Sequence, residues 1–255
     1  MALLQNKTLC VIGDSQMACA ARGLKEGLTQ APPGWDVEFW GAEGPLFRAM
    51  DFKDGAMRMT KADATARVIE INEQQRDHIA PGDFDALLFF GARLRVAAFF
   101  ADYFQWQSTR VSEPTRAVLE AAIHDFCICT RAYRIARAFA EQGDAVFFAP
   151  DPFMTAGILD YFGPDGVYAD QLAAQTATAQ QRAALWDGFE RVAAQDGIKL
   201  LAQDDETVQD GILTKPEFAI AGAEAVGDHA HKSPAFGALR LQQVWQELPP
   251  VRSAA

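Results

Sequence analysis

Short apolar-rich runs punctuate this chain, and the longer stretches between them carry apolar residues at helical spacing. The runs Thr8 to Ile12, Asp36 to Trp40, Ala86 to Phe90, Ala145 to Ala149 and Lys199 to Ala202 have the length of strands. Ala86 to Phe90 is apolar throughout, the pattern of a central parallel strand buried on both faces. Between them the pattern predicts helices over Gln16 to Thr29, closed by Ala31-Pro32-Pro33-Gly34, and over Val96 to Trp106. Further helices are predicted over Glu113 to Glu141, with Pro114 in the first turn, then Ala173 to Asp196 and Ala238 to Leu248. Strands alternating with helices imply a three-layer α/β fold around a parallel five-stranded sheet. The order 2-1-3-4-5, the flavodoxin-like arrangement, fits this pattern, and such sheets gather ligands at the carboxyl ends of their strands. Gly41 to Lys61 reads as irregular chain over that rim, and Ala62 to Ile79 as mixed, ending at Pro81-Gly82. Residues 1–248 form one expected domain, with Pro249 to Ala255 as a disordered tail.

Composition narrows the function more than the fold. The 255 residues are 49% hydrophobic and 22% charged, ordinary values for a globular protein. A net charge of −11 argues against nucleic acid and against anionic membrane surfaces as partners. No apolar run approaches the ~20 residues that span a bilayer, and Met1 to Lys7 lacks the features of a targeting segment. The four cysteines, Cys10, Cys19, Cys127 and Cys129, lack zinc-ligand spacing and are expected to be reduced and mostly buried, in a cytoplasmic protein. Cys10 and Cys19 lie close to Ser15 in sequence, which leaves a catalytic thiol open beside plain packing. Neither a dinucleotide-binding glycine pattern nor a P-loop is present.

Two short motifs carry the candidate chemistry. Gly13-Asp14-Ser15-Gln16 follows the first apolar run and precedes the first helix. A serine on such a strand-to-helix turn sits beside outward-pointing amides at the positive end of a helix dipole, where an oxyanion is easily held. The same residues also suit a plain helix cap. Near the other end the chain reads Gly227-Asp228-His229-Ala230-His231-Lys232-Ser233-Pro234, just before the last helix. A serine nucleophile needs an imidazole to take its proton, and the imidazole needs an acid to fix its tautomer. Asp228 and His231 can supply both from one loop; His229 is the rival base, and capping or solvated roles are the alternative for all three.

The pair of motifs, in this order, resembles the SGNH (GDSL-type) hydrolase family. The resemblance implies the flavodoxin-like sheet order, with Ser15 as nucleophile, His231 as base and Asp228 as its orienting acid. It places Gly44, in Phe39-Trp40-Gly41-Ala42-Glu43-Gly44, at the glycine whose amide faces the oxyanion beside that of Ser15. Two blocks depart from the family pattern: Phe39 stands where an asparagine is usual, and Gly91-Ala92-Arg93-Leu94 replaces Gly-x-Asn-Asp. Arg93 therefore occupies the position of an oxyanion-donating asparagine. It either completes the hole or grips an anionic substrate, or it turns away to solvent or a salt bridge.

The implied activity is hydrolysis of a carboxylic ester, an acyl ester or O-acetyl group, through a Ser-His-Asp triad. The alternatives are an acyltransferase using a sugar or alcohol acceptor, and a non-catalytic acyl- or carbohydrate-binding relative. The partner is then a small-molecule or glycan ester, with no cofactor, no metal, no nucleic acid and no membrane span. The aromatic stripe Phe99, Phe100, Tyr103, Phe104 and Trp106 reads first as core, with Phe99 as a candidate pocket wall facing Phe153, Met154, Tyr161 and Phe162. His78 and His124 fall on predicted helices away from the rim. Asp204-Asp205-Glu206 reads as a solvated loop rather than a metal site.

Overall fold

The computed structural model describes residues 6–109, 113–158, 160 and 174–251. Its centre is a five-stranded parallel sheet of β1 (Lys7–Gly13), β2 (Trp35–Gly41), β6 (Ala86–Gly91), β7 (Val146–Pro150) and β8 (Ile198–Leu200), ordered β2-β1-β6-β7-β8. Counting only these strands, the order is the expected 2-1-3-4-5. Every residue of β6 and β7 is buried, which explains their unbroken apolar runs, whereas the edge strand β2 is exposed at Asp36 and only partly buried over Val37 to Phe39.

Strand periodicity splits the core into two layers. Cys10, Ile12, Leu87, Phe89 and Phe148 face one side, and Leu9, Val11, Leu88, Phe90 and Phe147 the other. The second side is covered by α1 (Met17–Lys25) and α9 (Pro234–Glu247). The first packs against α3 (Ala62–Ile71), α4 (Val96–Ser108), α5 (Arg116–Cys129), α6 (Arg131–Glu141) and α7 (Ala179–Gln195). Gly237 on α9 lies against the backbone of Cys19 and Ala20 so closely that a Cβ would overlap it, and Gly23 on α1 meets Pro234 in the same way. This contact matters for the site: α1 starts just after Ser15 and α9 just after His231, so their crossing ties the two motifs together.

Several elements differ from the sequence expectation. Gly41 to Lys61 is structured: α2 (Gly44–Phe47) is followed by a hairpin of β3 (Met50–Lys53) and β4 (Ala56–Met59), joined by β5 (His78–Ile79) into a three-stranded antiparallel sheet. The hairpin turn is Asp54-Gly55, both at positive φ (55° and 76°), the turn chemistry that a two-residue hairpin requires. His78 accordingly lies on a strand, hydrogen-bonded to Asp77, and not on a helix. The predicted helix from Glu113 to Glu141 is two helices broken at Thr130, whose extended backbone (φ −85°, ψ 120°) ends one and begins the next. The first helix is shorter than expected because Gly27 (φ 73°) turns the chain after Lys25. A capping box of Thr178 and Gln181 starts α7 at Ala179.

The chain end also departs from expectation up to Val251. Trp35 Nε1 donates to the Pro249 carbonyl at 3.3 Å, and Val251 packs beside Gly34. Residues 252–255 of the expected tail lie outside the described residues, as do Tyr161 and Phe162. Among the described residues, no helix is long and apolar enough to cross a membrane.

Candidate active site

Ser15 stands on the turn between β1 and α1, and glycine is required around it. A Cβ on Gly13 would sit 2.5 Å from the Phe90 carbonyl oxygen, and one on Gly41 would overlap the Gly13 carbonyl. Close approach of the strand ends thus depends on bare backbone at both positions. Asp14 is buried, and its Oδ1 accepts from the Gln16 amide at 3.0 Å, while its carbonyl accepts from Met17 N. Asp14 thereby shapes the turn and leaves the partly buried Ser15 side chain projecting from the rim.

His231 reaches Ser15 from a loop that is held on several sides. Gly227 (φ 65°) ends α8 (Ala223–Val226), and Asp228 follows with its amide bonded back to the Ala223 carbonyl. Asp228 Oδ1 accepts from the Ala230 and His231 amides (3.2 and 3.0 Å), and its Oδ2 lies 2.8 Å from His231 Nδ1. His231 Nε2 is 2.9 Å from Ser15 Oγ. With Nδ1 donating to the carboxylate, Nε2 is an acceptor for the serine hydroxyl, the tautomer a base needs. Partial burial pushes the Asp228 carboxyl up, but hydrogen bonds from the His231 amide and ring and the Ala230 amide outweigh it. Its pKa lies below the usual aspartate value.

Behind the loop, three residues that sequence reasoning did not single out complete its support. The buried Lys232 Nζ donates to the carbonyls of His229 (3.1 Å) and Ala230 (2.7 Å). Gln16 Nε2 also donates to the Ala230 carbonyl at 3.1 Å, joining the serine turn to the histidine loop. Thr155 N donates to the His229 carbonyl at 2.8 Å. His229 itself is buried with its ring beside Gly157, so His231 is the imidazole at Ser15.

Gly44 and Arg93 meet on the other flank. Gly44 opens α2, and a Cβ there would lie 3.0 Å from Arg93 Nη1 and 4.0 Å from Asp14 Oδ2. Arg93 turns inward, with Nη1 3.7 Å from Asp14 Oδ2. It does so from an unusual turn: Gly91, Ala92 and Arg93 all have positive φ (69°, 46° and 65°). Left-handed backbone costs a residue with a Cβ about 1–2 kcal/mol, so two such residues in succession need outside support. Asp151, at the end of β7, supplies it by accepting from the Arg93 amide at 3.1 Å. Burial, and then the charge of Asp14, push the Asp151 carboxyl up to about 6, against the pull of Arg95 and Arg93. Among the described residues, neither the Ser15 nor the Gly44 amide donates to a protein acceptor.

The remaining candidates lie elsewhere. Phe153 is fully buried against Phe100 and Trp186, and Phe99 packs edge-on to Phe126 and Phe189. Phe153, just after β7, belongs to the aromatic core, and Phe99 is partly buried against that core. Cys10 and Cys19 are buried with their thiols pushed up by desolvation, Cys19 to about 12, so neither is a thiolate near neutral pH. Cys127 is buried too, and Cys129 is exposed. Asp205, in a short 3₁₀ turn, pairs with the buried Arg182, and no group of three or more His, Cys, Asp or Glu side chains among the described residues suits a metal ion. No protein-family model, curated protein or solved structure matches this chain. Chemically, the arrangement supplies a hydroxyl with a base in contact, a carboxylate behind the base, and donors on the opposite flank.

Proposed function

We propose that this protein is a serine hydrolase of the SGNH type, on a flavodoxin-like sheet, that cleaves a carboxylic ester through an acyl-enzyme. The observation that carries the reading is the unbroken line of hydrogen bonds from Ser15 Oγ through the His231 ring to Asp228, at 2.9 and 2.8 Å. A protein that only binds has no need to hold a serine hydroxyl against a correctly oriented imidazole.

In the reaction, Ser15 Oγ adds to the ester carbonyl carbon as its proton passes to His231 Nε2. Asp228 stabilises the imidazolium through Nδ1. The carbonyl oxygen becomes an alkoxide, received in this reading by the Ser15 and Gly44 amides and the Arg93 guanidinium. Collapse breaks the bond to the leaving oxygen, which takes the proton from His231, and leaves the acyl group on Ser15. Water then gives a proton to His231 and attacks the acyl carbon. The carboxylic acid departs as Ser15 regains its hydrogen.

Fluorophosphonate labelling, with turnover of p-nitrophenyl acetate and butyrate, tests this reading. The wild type is expected to label and turn over, and Ser15→Ala to do neither while remaining folded. A folded wild type that does not label would overturn it. Product analysis with added sugar acceptors separates hydrolysis from acyl transfer.

A further inference from the structure

A cavity of about 370 Å³ is lined in part by Arg48, Arg93, Cys129, Thr130 and Arg131. Ser15, Asp228 and His231 do not line it. Arg93 belongs to both places: its guanidinium stands over Gly44 and beside Asp14, the neighbour of Ser15, and it also forms the cavity wall. Arg93 is therefore shared between the flank of the serine turn and the cavity wall.

No acidic side chain among the described residues lines the cavity. Among the described residues, neither the Arg48 nor the Arg93 guanidinium donates a hydrogen bond, and the one ion pair either makes is the long 3.7 Å approach of Arg93 to Asp14. A guanidinium never loses its proton and presents five N–H donors, so the exposed Arg48 and the partly buried Arg93 together make the cavity suited to an oxyanion. Arg131 is already committed, its Nη1 donating to the Arg48 and Met50 carbonyls, which steadies the wall. Arg93 is partly buried, and desolvation followed by the like charges of Arg95 and Arg48 depresses its pKa, outweighing Asp14 and Asp151. The cavity also meets the first turn of α6, which has no capping side chain and no acidic residue. All this positive character is local, because the whole chain carries −11.

We propose that the acyl group of the substrate carries a negative charge, a carboxylate or phosphate bound by Arg48 and Arg93 in this cavity. The inference rests on the hydrolase reading above. Its side of the substrate follows from geometry. The leaving oxygen must lie against His231 Nε2 to receive its proton, so the cavity across Arg93 is left to the acyl chain. Esters of short dicarboxylic acids with one free carboxylate are the simplest substrates of this description.

Three esters test the assignment: p-nitrophenyl butyrate, mono-p-nitrophenyl succinate, and 4-carboxyphenyl butyrate, in which the charge is on the alcohol. The succinate is expected to exceed the neutral butyrate in kcat/KM by about tenfold, as one charged contact allows. Arg48→Gln is expected to lower that ratio by about the same factor. A succinate ratio at or below one, or a preference for the carboxyphenyl ester alone, overturns the proposal. A phosphonate analogue of the succinate, in parallel, distinguishes carboxylate from phosphate as the preferred anion.

A second readout does not depend on catalysis. Cys129 is exposed and lines the cavity, whereas the other three cysteines are buried. Its modification by anionic and cationic methanethiosulfonates, normalised to a free small thiol, reads the local potential. The anionic reagent is expected to gain about threefold or more, a gain reduced in Arg48→Gln and by 0.5 M salt. If no ester is turned over but this ratio is raised, the hydrolase reading and the ester assignment fall together and only an anion site stands. If esters are turned over without charge preference and the ratio is flat, the cavity assignment fails alone.

Discussion

Gly237 on α9 rests on the peptide of Cys19 on α1, with no room for a single methyl group between them. The serine turn precedes one helix and the histidine loop precedes the other, so this contact fixes the distance between Ser15 and His231. A Cβ at position 237 must push the helices apart, since the atoms it meets are backbone and cannot rotate away. Gly237→Ala is therefore expected to cost about 1–3 kcal/mol of stability despite the better helix propensity of alanine. Fluorophosphonate labelling of the folded variant should slow as well. Urea melts together with labelling rates check both, and an unchanged labelling rate in a destabilised variant would show that the crossing does not set the site.

Lys232 is expected to make stability depend on pH in an unusual direction. Burial lowers its pKa from 10.5 to about 7. Between about pH 7 and 10.5 the unfolded chain holds a proton there that the folded chain has released, so unfolding takes up protons and stability rises with pH. Below pH 7 both states are protonated and the cost of the buried ammonium is fully present. Lys232→Met removes this slope and also the donors to the His229 and Ala230 carbonyls. The expected result is a wild-type urea midpoint that climbs from pH 7.5 to 10 relative to the variant, with kcat in the variant reduced by roughly tenfold through a looser loop. Parallel midpoint curves for the two proteins would count against the burial of a charge.

The parallel sheet and the meeting of Ser15 with His231 were legible because each has a local signature. Ala86 to Phe90 announces a central strand by its composition, and Asp228-x-x-His231 announces an acid-base pair by its spacing. The supporting residues carry no such mark. Lys232 reads as a surface charge in any one-dimensional pattern, yet the fold buries it with its ammonium on the His229 and Ala230 carbonyls. The left-handed turn at Ala92-Arg93 is equally silent, since neither residue type favours positive φ and the support comes from Asp151, 58 residues away. The hairpin β3–β4 is a different case, because Asp54-Gly55 between alternating residues is a turn signal in the sequence itself.

Asp151 gives a pH dependence of opposite sign to that of Lys232. With its pKa raised from 3.8 to about 6, the folded chain keeps a proton that the unfolded chain loses between those values. Stability from this group is therefore full below pH 3.8 and is lost as pH rises to 6. An asparagine keeps a carbonyl oxygen for the Arg93 amide without the buried charge. Asp151→Asn is expected to flatten the slope between pH 4 and 6 and to raise stability at pH 7 by about 1–2 kcal/mol. Thermal or urea unfolding across that range measures it, and a destabilised variant at pH 7 would mean that the ion pairing to Arg95 and Arg93 outweighs burial.

Arg93 lies beside Asp14 and Gly44, on the flank proposed to hold the oxyanion, and its variants separate charge from geometry. If the guanidinium receives the developing alkoxide, Arg93→Ala loses about 10²–10³ in kcat, the usual cost of one oxyanion donor. A lysine restores the charge but not the fork, so Arg93→Lys should recover only part of that loss. Both variants relieve none of the backbone strain, since alanine and lysine adopt positive φ no more readily than arginine. Arg93→Gly does relieve it, and is expected to be as inactive as Arg93→Ala while melting higher. Single-turnover rates on p-nitrophenyl acetate, which has no charge for the neighbouring cavity, isolate the chemical step from substrate binding. Equal rates for wild type and Arg93→Ala on that ester would remove Arg93 from the oxyanion site and leave the hole to the Ser15 and Gly44 amides.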